Sequence, residues 1–135
     1  MIRMVVGAAA ASERQYVIPP MSAGFSFSGK VYWTTNGLVE TLVGSLADEA
    51  QKLIGRDDPM TVYFRESFEG YYSGFVAYLD EWAVDDEKKS QLLQIMGAAV
   101  DDLLRRKVFT DYGDTWLNTE FRQLRESVAN DQAAG

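Results

Sequence analysis

The chain has no histidine and no cysteine in its 135 residues. The first absence removes the side chain that titrates nearest neutrality, and with it the usual general base. The second removes the thiol nucleophile, every disulfide and the commonest zinc ligand. No run of about 18 apolar residues occurs, so no segment reads as a transmembrane helix. Cations are outnumbered, with 13 Lys and Arg against 20 Asp and Glu, a formal net charge of −7. An acidic surface repels phosphate backbones and anionic headgroups, which argues against nucleic acid and membrane as partners. It suits solubility, or an acidic rim that meets a basic partner protein. The lack of cysteine fits a reducing compartment, and a cytoplasmic location is expected.

The motifs of the common catalytic classes are also missing. There is no Walker loop, no GxGxxG, no GxSxG and no calcium-loop spacing. A Ser–Lys dyad is formally open to Lys30, Lys52, Lys88 and Lys89, but all four are expected to be solvated. No cofactor is expected.

What is present reads as one domain of α+β class. Residues 1–23 read as a weakly ordered extension. Their short, alanine-rich apolar run with Arg3 imitates a secretory signal only thinly, and Met21 after Pro19-Pro20 leaves a downstream start open. The domain is placed at residues 24–129, with a frayed tail at 130–135.

From Gly24 to Thr34, alternation and aromatic content predict one strand, bent or bulged at Gly29, with Phe25, Phe27, Val31 and Trp33 on one face. Thr35-Asn36 caps a helix of Leu38, Leu42, Leu46, Ala50 and Leu53, ended by Gly55. Met60 to Glu66, MTVYFRE, reads as a second strand, with Thr61, Tyr63 and Arg65 on one side. Ser67 to Gly70 turns the chain.

Residues 71–82 fit a strand with Tyr72 and Tyr78 on one face, and also a helix with Phe75 and Trp82 on one face. Gly70, Gly74 and the aromatics favour the strand. Asp85-Asp86 opens a helix through Leu92, Met96, Val100 and Leu103, with Arg105, Arg106 and Lys107 at its C-terminal end. Thr110 to Asp114 reads as a turn, with Asp114 capping a last helix over Trp116, Leu117, Phe121, Leu124 and Val128. The expected architecture is a small antiparallel sheet of about three strands on two or three helices, in the order β-α-β-β-α-α. Its edges need cover, which a second copy of the chain can supply.

Two constellations bear on function. Asp80, Glu81, Asp85, Asp86 and Glu87 read as a solvated turn running into a helix start, not as a metal site, and no metal ligands are assigned. Arg65-Glu66 reads as a cross-strand ion pair, or as an arginine presented to an anion. The aromatics are more informative. Tyr32, Trp33, Tyr63, Tyr71, Tyr72, Tyr78 and Trp82 all fall on or near the expected sheet. A sheet that packs helices on one side must turn some of its rings outward, and exposed rings mark interaction surfaces.

The candidate binding residues are therefore Trp33, Tyr63, Arg65, Tyr72, Tyr78 and Trp82, and no catalytic residue is assigned. The leading expectation is a non-catalytic, homo-oligomeric module that binds another protein through an aromatic sheet face or an acidic rim. The alternative is a small-molecule-binding or enzymatic domain. Its cleft would lie between sheet and helices, with Arg65 and Tyr63 as anchors and Glu66 or Asp80 as acid/base.

Overall fold

A computed structural model of the protein describes residues 22–131. The expectations for residues 1–21 and 132–135 lie outside the described residues. The chain forms an α+β domain with a three-stranded sheet, the class and strand count that patterning predicts. Strand β1 (Ser22–Phe27) turns directly into β2 (Lys30–Thr35). Helices α1 (Asn36–Ile54) and α2 (Pro59–Glu69) follow, then β3 (Val76–Tyr78) and a short 3-10 turn at Asp80–Ala83. Helices α3 (Asp86–Arg105), α4 (Asp111–Asn118) and α5 (Glu120–Asn130) complete the described chain.

The strand expected over residues 24–34 is instead a hairpin. Ser28 and Gly29 both have positive φ, 52° and 82°. Two such residues make the turn whose twist matches paired strands, and glycine is easily placed at the second position. The turn pairs Phe25 with Tyr32 and Gly24 with Trp33. Phe25 and Phe27 therefore share a face with Tyr32, while Val31 and Trp33 move to the opposite face.

Met60–Glu66 is helical rather than extended. Asp58 accepts a hydrogen bond from the Met60 N–H at 2.9 Å, and Pro59 occupies the first helical turn. That start signal, with Met60, Thr61 and Phe64 buried on one side, outweighs the strand propensity of Thr61, Val62, Tyr63 and Phe64. Ser67 to Glu69 continue the helix and Gly70 caps it.

Residues 71–82 adopt neither expected form throughout. Asn36 pins the loop before β3: its Oδ1 accepts from the Tyr71 hydroxyl at 2.9 Å and from the Gly74 N–H at 3.0 Å. Only Val76 to Tyr78 then pair with β1, and they do so in parallel, because α1 and α2 carry the chain back across the sheet. The sheet is accordingly mixed, in the order β2-β1-β3, not purely antiparallel.

Two capped helices form as expected. Thr35 accepts from the Leu38 N–H, Gly55 ends α1 with φ 92°, and Asp85 accepts from the Lys88 N–H at the start of α3. The last expected helix is two. Asp111 already lies in α4, so Thr110–Asp114 is not a turn and Asp114 sits inside the helix rather than at its cap. Thr119 breaks the run, letting Trp116 and Leu117 face the core from α4 and Phe121, Leu124 and Val128 from α5.

The inner sheet face carries Ala23, Phe25, Phe27, Tyr32 and Ala77, all buried and continuous with the helical core. Phe25 meets the Phe121 ring edge-on at 5.5 Å and the Trp116 ring at 6.4 Å. No described helix is long and apolar enough to cross a membrane.

Candidate functional site

The strand register sorts the remaining residues onto the outer face. Trp33, Gly24 and Val76 form one cross-strand row, and Val31, Ser26 and Tyr78 form the next. Paired residues point to the same side of a sheet, so these six share one surface. Gly24 and Ser26, on the central strand, are the floor. Val31 and Trp33 rise on one side, Val76 and Tyr78 on the other. Val31, Trp33 and Val76 are partly exposed, and Tyr78 is 60% exposed. The result is a shallow apolar gutter at Gly24–Ser26 of β1, with a buried floor and with Tyr78 as its exposed wall.

Gly24 is needed for that shape. A Cβ at this position would lie 2.7 Å from the Tyr32 carbonyl oxygen and 3.0 Å from Val31 Cγ1. At Gly24 no side chain fits between the flanking strands.

At each edge of the sheet one backbone group is bonded by an aromatic side chain. On β2, the Trp33 carbonyl accepts from the Trp116 indole N–H at 3.0 Å, and the hydroxyls of Thr34 and Tyr112 bond at 2.9 Å. On β3, the Tyr78 N–H donates to the Tyr63 hydroxyl at 3.0 Å. These backbone groups would otherwise be available for a further strand.

Of the candidate residues, Trp33 and Tyr78 lie on the outer face, and Tyr63 and Trp82 stand behind its β3 edge. Trp82 is buried and touches Tyr63 with ring centroids 5.4 Å apart. Burial raises the Tyr63 phenol above its ordinary pKa, Glu81 adds to this, and the bond from the Tyr78 N–H opposes it. The phenol is therefore a neutral acceptor at physiological pH. Tyr72 is exposed in the loop before β3, with its ring edge-on to Phe75.

Arg65 is elsewhere. Residues two apart on a strand share a face, but on a helix they are separated by about 200°. Tyr63 therefore faces the sheet edge, while Arg65 faces a groove of 440 Å³ between α1, α2 and the end of α3. Asp48, Phe68, Glu69, Leu103 and Arg106 also line that groove. Arg65 donates to the Arg56 carbonyl at 3.0 Å, and the cross-strand ion pair expected of the Arg65-Glu66 step has no strand to form on, because this segment is helical. Glu66 and Asp80 do not line this groove.

The acidic run has local tasks. Asp80 Oδ1 accepts from the Ser28 N–H at 2.8 Å, fastening the 3-10 turn to the hairpin tip, and Asp85 caps α3. At the far end of α3, Arg105 and Arg106 both pair with Asp102. The hydrogen bond from Arg106 holds the Asp102 carboxyl below its usual range, with the charges of Arg106, Arg105 and Lys52 adding to it.

Sequence reasoning missed Gly24, Ser26, Val31 and Val76. The signal was the Ser28-Gly29 dipeptide. Read as a two-residue hairpin turn, it reverses the parity of everything after it and puts Val31 beside Trp33 above two small residues.

Comparison with protein-family models, with curated proteins and with solved structures finds no significant match to this chain.

Proposed function

We propose that this domain is a non-catalytic interaction module that binds another protein through the outer face of its sheet. The observation that supports this most directly is the outer face itself: Val31, Trp33 and Val76 partly exposed and Tyr78 60% exposed, around the small, buried residues Gly24 and Ser26. Aromatic residues flanking a recess are the composition that interface centres favour. The helical core is already complete on the other face, so stability does not require these rings to point outward.

Affinity capture from the native cell tests this reading with three baits: the unaltered protein, Tyr78→Arg and Phe68→Arg. The two substitutions change rings of similar exposure, 60% and 44%, on different surfaces. A partner retained by Phe68→Arg and lost by Tyr78→Arg is the expected result. Retention of every partner by Tyr78→Arg overturns the reading.

A second reading, small-molecule binding, draws on the groove beside Arg65. Two guanidinium groups and a Phe68–Leu103 floor line it. Asp48 and Glu69 share the lining and offset those cations, which makes the groove less selective for an anion than its arginines alone would be. Arg65→Ala should abolish ligand binding there with the fold retained if this reading holds.

A further inference from the structure

We propose that Asn36-Gly37, at the start of α1, is a site of spontaneous covalent modification, where the chain closes into a cyclic imide and reopens as aspartate or isoaspartate. The isoaspartate product releases the loop before β3. Nothing in this depends on what the outer sheet face binds.

The first observation is a glycine that the fold does not require. Gly37 is the second residue of α1 and is exposed. A Cβ built on it meets nothing within 4 Å, and it is not among the glycines with positive φ. Neither packing nor backbone conformation calls for glycine, which is a poor residue within a helix. What it does leave, directly after an asparagine, is a main-chain nitrogen that no side chain crowds.

The second is the place of that nitrogen. Carbonyls of a helix do not reach the N–H groups of its first turn, and the Thr35 hydroxyl takes the N–H of Leu38 rather than that of Gly37. Helix ends open locally at low cost. Once the first turn opens, the Gly37 nitrogen can rotate onto the side-chain carbonyl carbon of Asn36. A bond forms between them, the Cγ–Nδ2 bond breaks, and ammonia leaves with the proton given up by the main-chain nitrogen. Water then adds to one of the two imide carbonyls and breaks its bond to nitrogen. Opening at the α-carbonyl gives isoaspartate, whose main chain runs through Cβ and Cγ and is one carbon longer. Opening at Cγ gives aspartate. No oxidant or reductant is needed.

The third is the work done by the amide that is consumed. Asn36 Oδ1 accepts from the Tyr71 hydroxyl at 2.9 Å and from the Gly74 N–H at 3.0 Å, and Nδ2 donates to Ser73 Oγ at 3.2 Å. The two products treat these bonds differently. An aspartate carboxylate still accepts from Tyr71 and Gly74, and its charge is favourable at a helix N-terminus. In isoaspartate the carboxylate hangs directly from Cα, set back by one carbon, on a first turn that the extra main-chain atom distorts. It cannot reach Tyr71 and Gly74 while α1 keeps its start. The loop is then freed, and it leads through Phe75 into β3.

The test incubates the folded full chain in mildly alkaline buffer and follows residue 36 by mass spectrometry, with electron-transfer fragmentation to tell aspartate from isoaspartate. The expected result is conversion to both products, slower than in the same chain unfolded in urea. Gly37→Ala, for which the structure has open space, should keep Asn36 intact over the same period because its methyl group crowds the attacking nitrogen. Hydrogen exchange then compares the separated products. Protection of the Gly74 amide should persist in Asn36→Asp and be lost in the isoaspartate form.

Survival of Asn36 in the folded protein for as long as in Gly37→Ala overturns the modification site. Conversion with the Gly74 amide equally protected in the isoaspartate form and the parent overturns the release of the loop.

Discussion

The indole N–H of Trp116 donates to the main-chain carbonyl of Trp33 across 3.0 Å, joining α4 to the edge of β2 over 83 positions of sequence. Its counterpart at the other edge is the Tyr63 hydroxyl on the Tyr78 N–H, 15 positions apart. An exposed edge is a template for aggregation, and these two aromatic groups occupy backbone sites that an added strand would use. The Trp116 ring also packs on Phe25 and Phe121, so one residue serves both the core and the edge.

Trp116→Phe separates those roles, because it keeps an aromatic ring and removes the N–H. The lost hydrogen bond should cost about 1 kcal/mol, and a smaller ring in a filled core adds to that. Urea unfolding measures the sum. The uncovered Trp33 carbonyl should also raise self-association at high concentration, read by light scattering. Unchanged stability and unchanged association would refute the plugging role.

Gly24→Ala addresses the floor of the gutter. The added Cβ meets the Tyr32 carbonyl at 2.7 Å, a backbone atom held within the β1–β2 ladder. Relief requires the strands to part, so a loss of about 1–3 kcal/mol is expected. Gly44→Ala is the comparison: there the close atoms belong to the Phe68 ring, which is 44% exposed and can swing outward. Thermal unfolding should therefore show a clear drop for Gly24→Ala and a smaller change, if any, for Gly44→Ala.

Much of this was readable in the chain. The caps Thr35 and Asp85 and the long apolar stripes beginning at Leu38 and Leu92 specify α1 and α3 by short-range chemistry. The α2 segment reads as a strand because Thr61, Val62, Tyr63 and Phe64 have strand propensity, while the pair that decides for a helix, Asp58-Pro59, lies just before them. The outer face was half legible. Trp33 and Tyr78 stood out as ring-bearing residues, but the neighbours that shape the recess are small or aliphatic and depend on strand register. That register turns on Ser28-Gly29 and on the pinning of the loop before β3 by Asn36, a contact across more than 30 residues. Arg65 and Tyr63 were expected to act together because a strand would align them, and the helix separates them.

Thr61 offers a stabilising change. It is 1% exposed, and its hydroxyl oxygen has no hydrogen-bond partner among the described residues. A buried hydroxyl without a partner carries a desolvation penalty of about 1–3 kcal/mol. Thr61→Val keeps the branched shape and replaces the hydroxyl by a methyl, so stability should rise by about 1 kcal/mol. The denaturation midpoint should move up with an unchanged slope. A fall in the midpoint would mean that the hydroxyl is bonded in solution.

Tyr71 gives the domain a sensitivity to alkali. Its hydroxyl donates to Asn36 Oδ1 at 2.9 Å and lies 3.2 Å from the Asn36 carbonyl oxygen, holding the loop before β3 against the start of α1. Burial pushes its pKa from 10.0 to about 12, with the Glu40 carboxylate adding to the rise. The folded state then keeps a proton that the unfolded chain loses, so fewer protons are bound on unfolding and stability falls with rising pH. The contribution is complete below the unfolded value of 10.0 and is lost as pH passes through about 12. Tyr63, raised in the same direction, acts with the same sign. Tyr71→Phe should be less stable at neutral pH by about 0.5–1.5 kcal/mol for the missing hydrogen bond, and should lose stability less steeply across the alkaline window. Urea midpoints of both proteins, measured from neutral pH to about 12, should therefore converge as pH rises; parallel curves would show that the Tyr71 phenol titrates alike in both states.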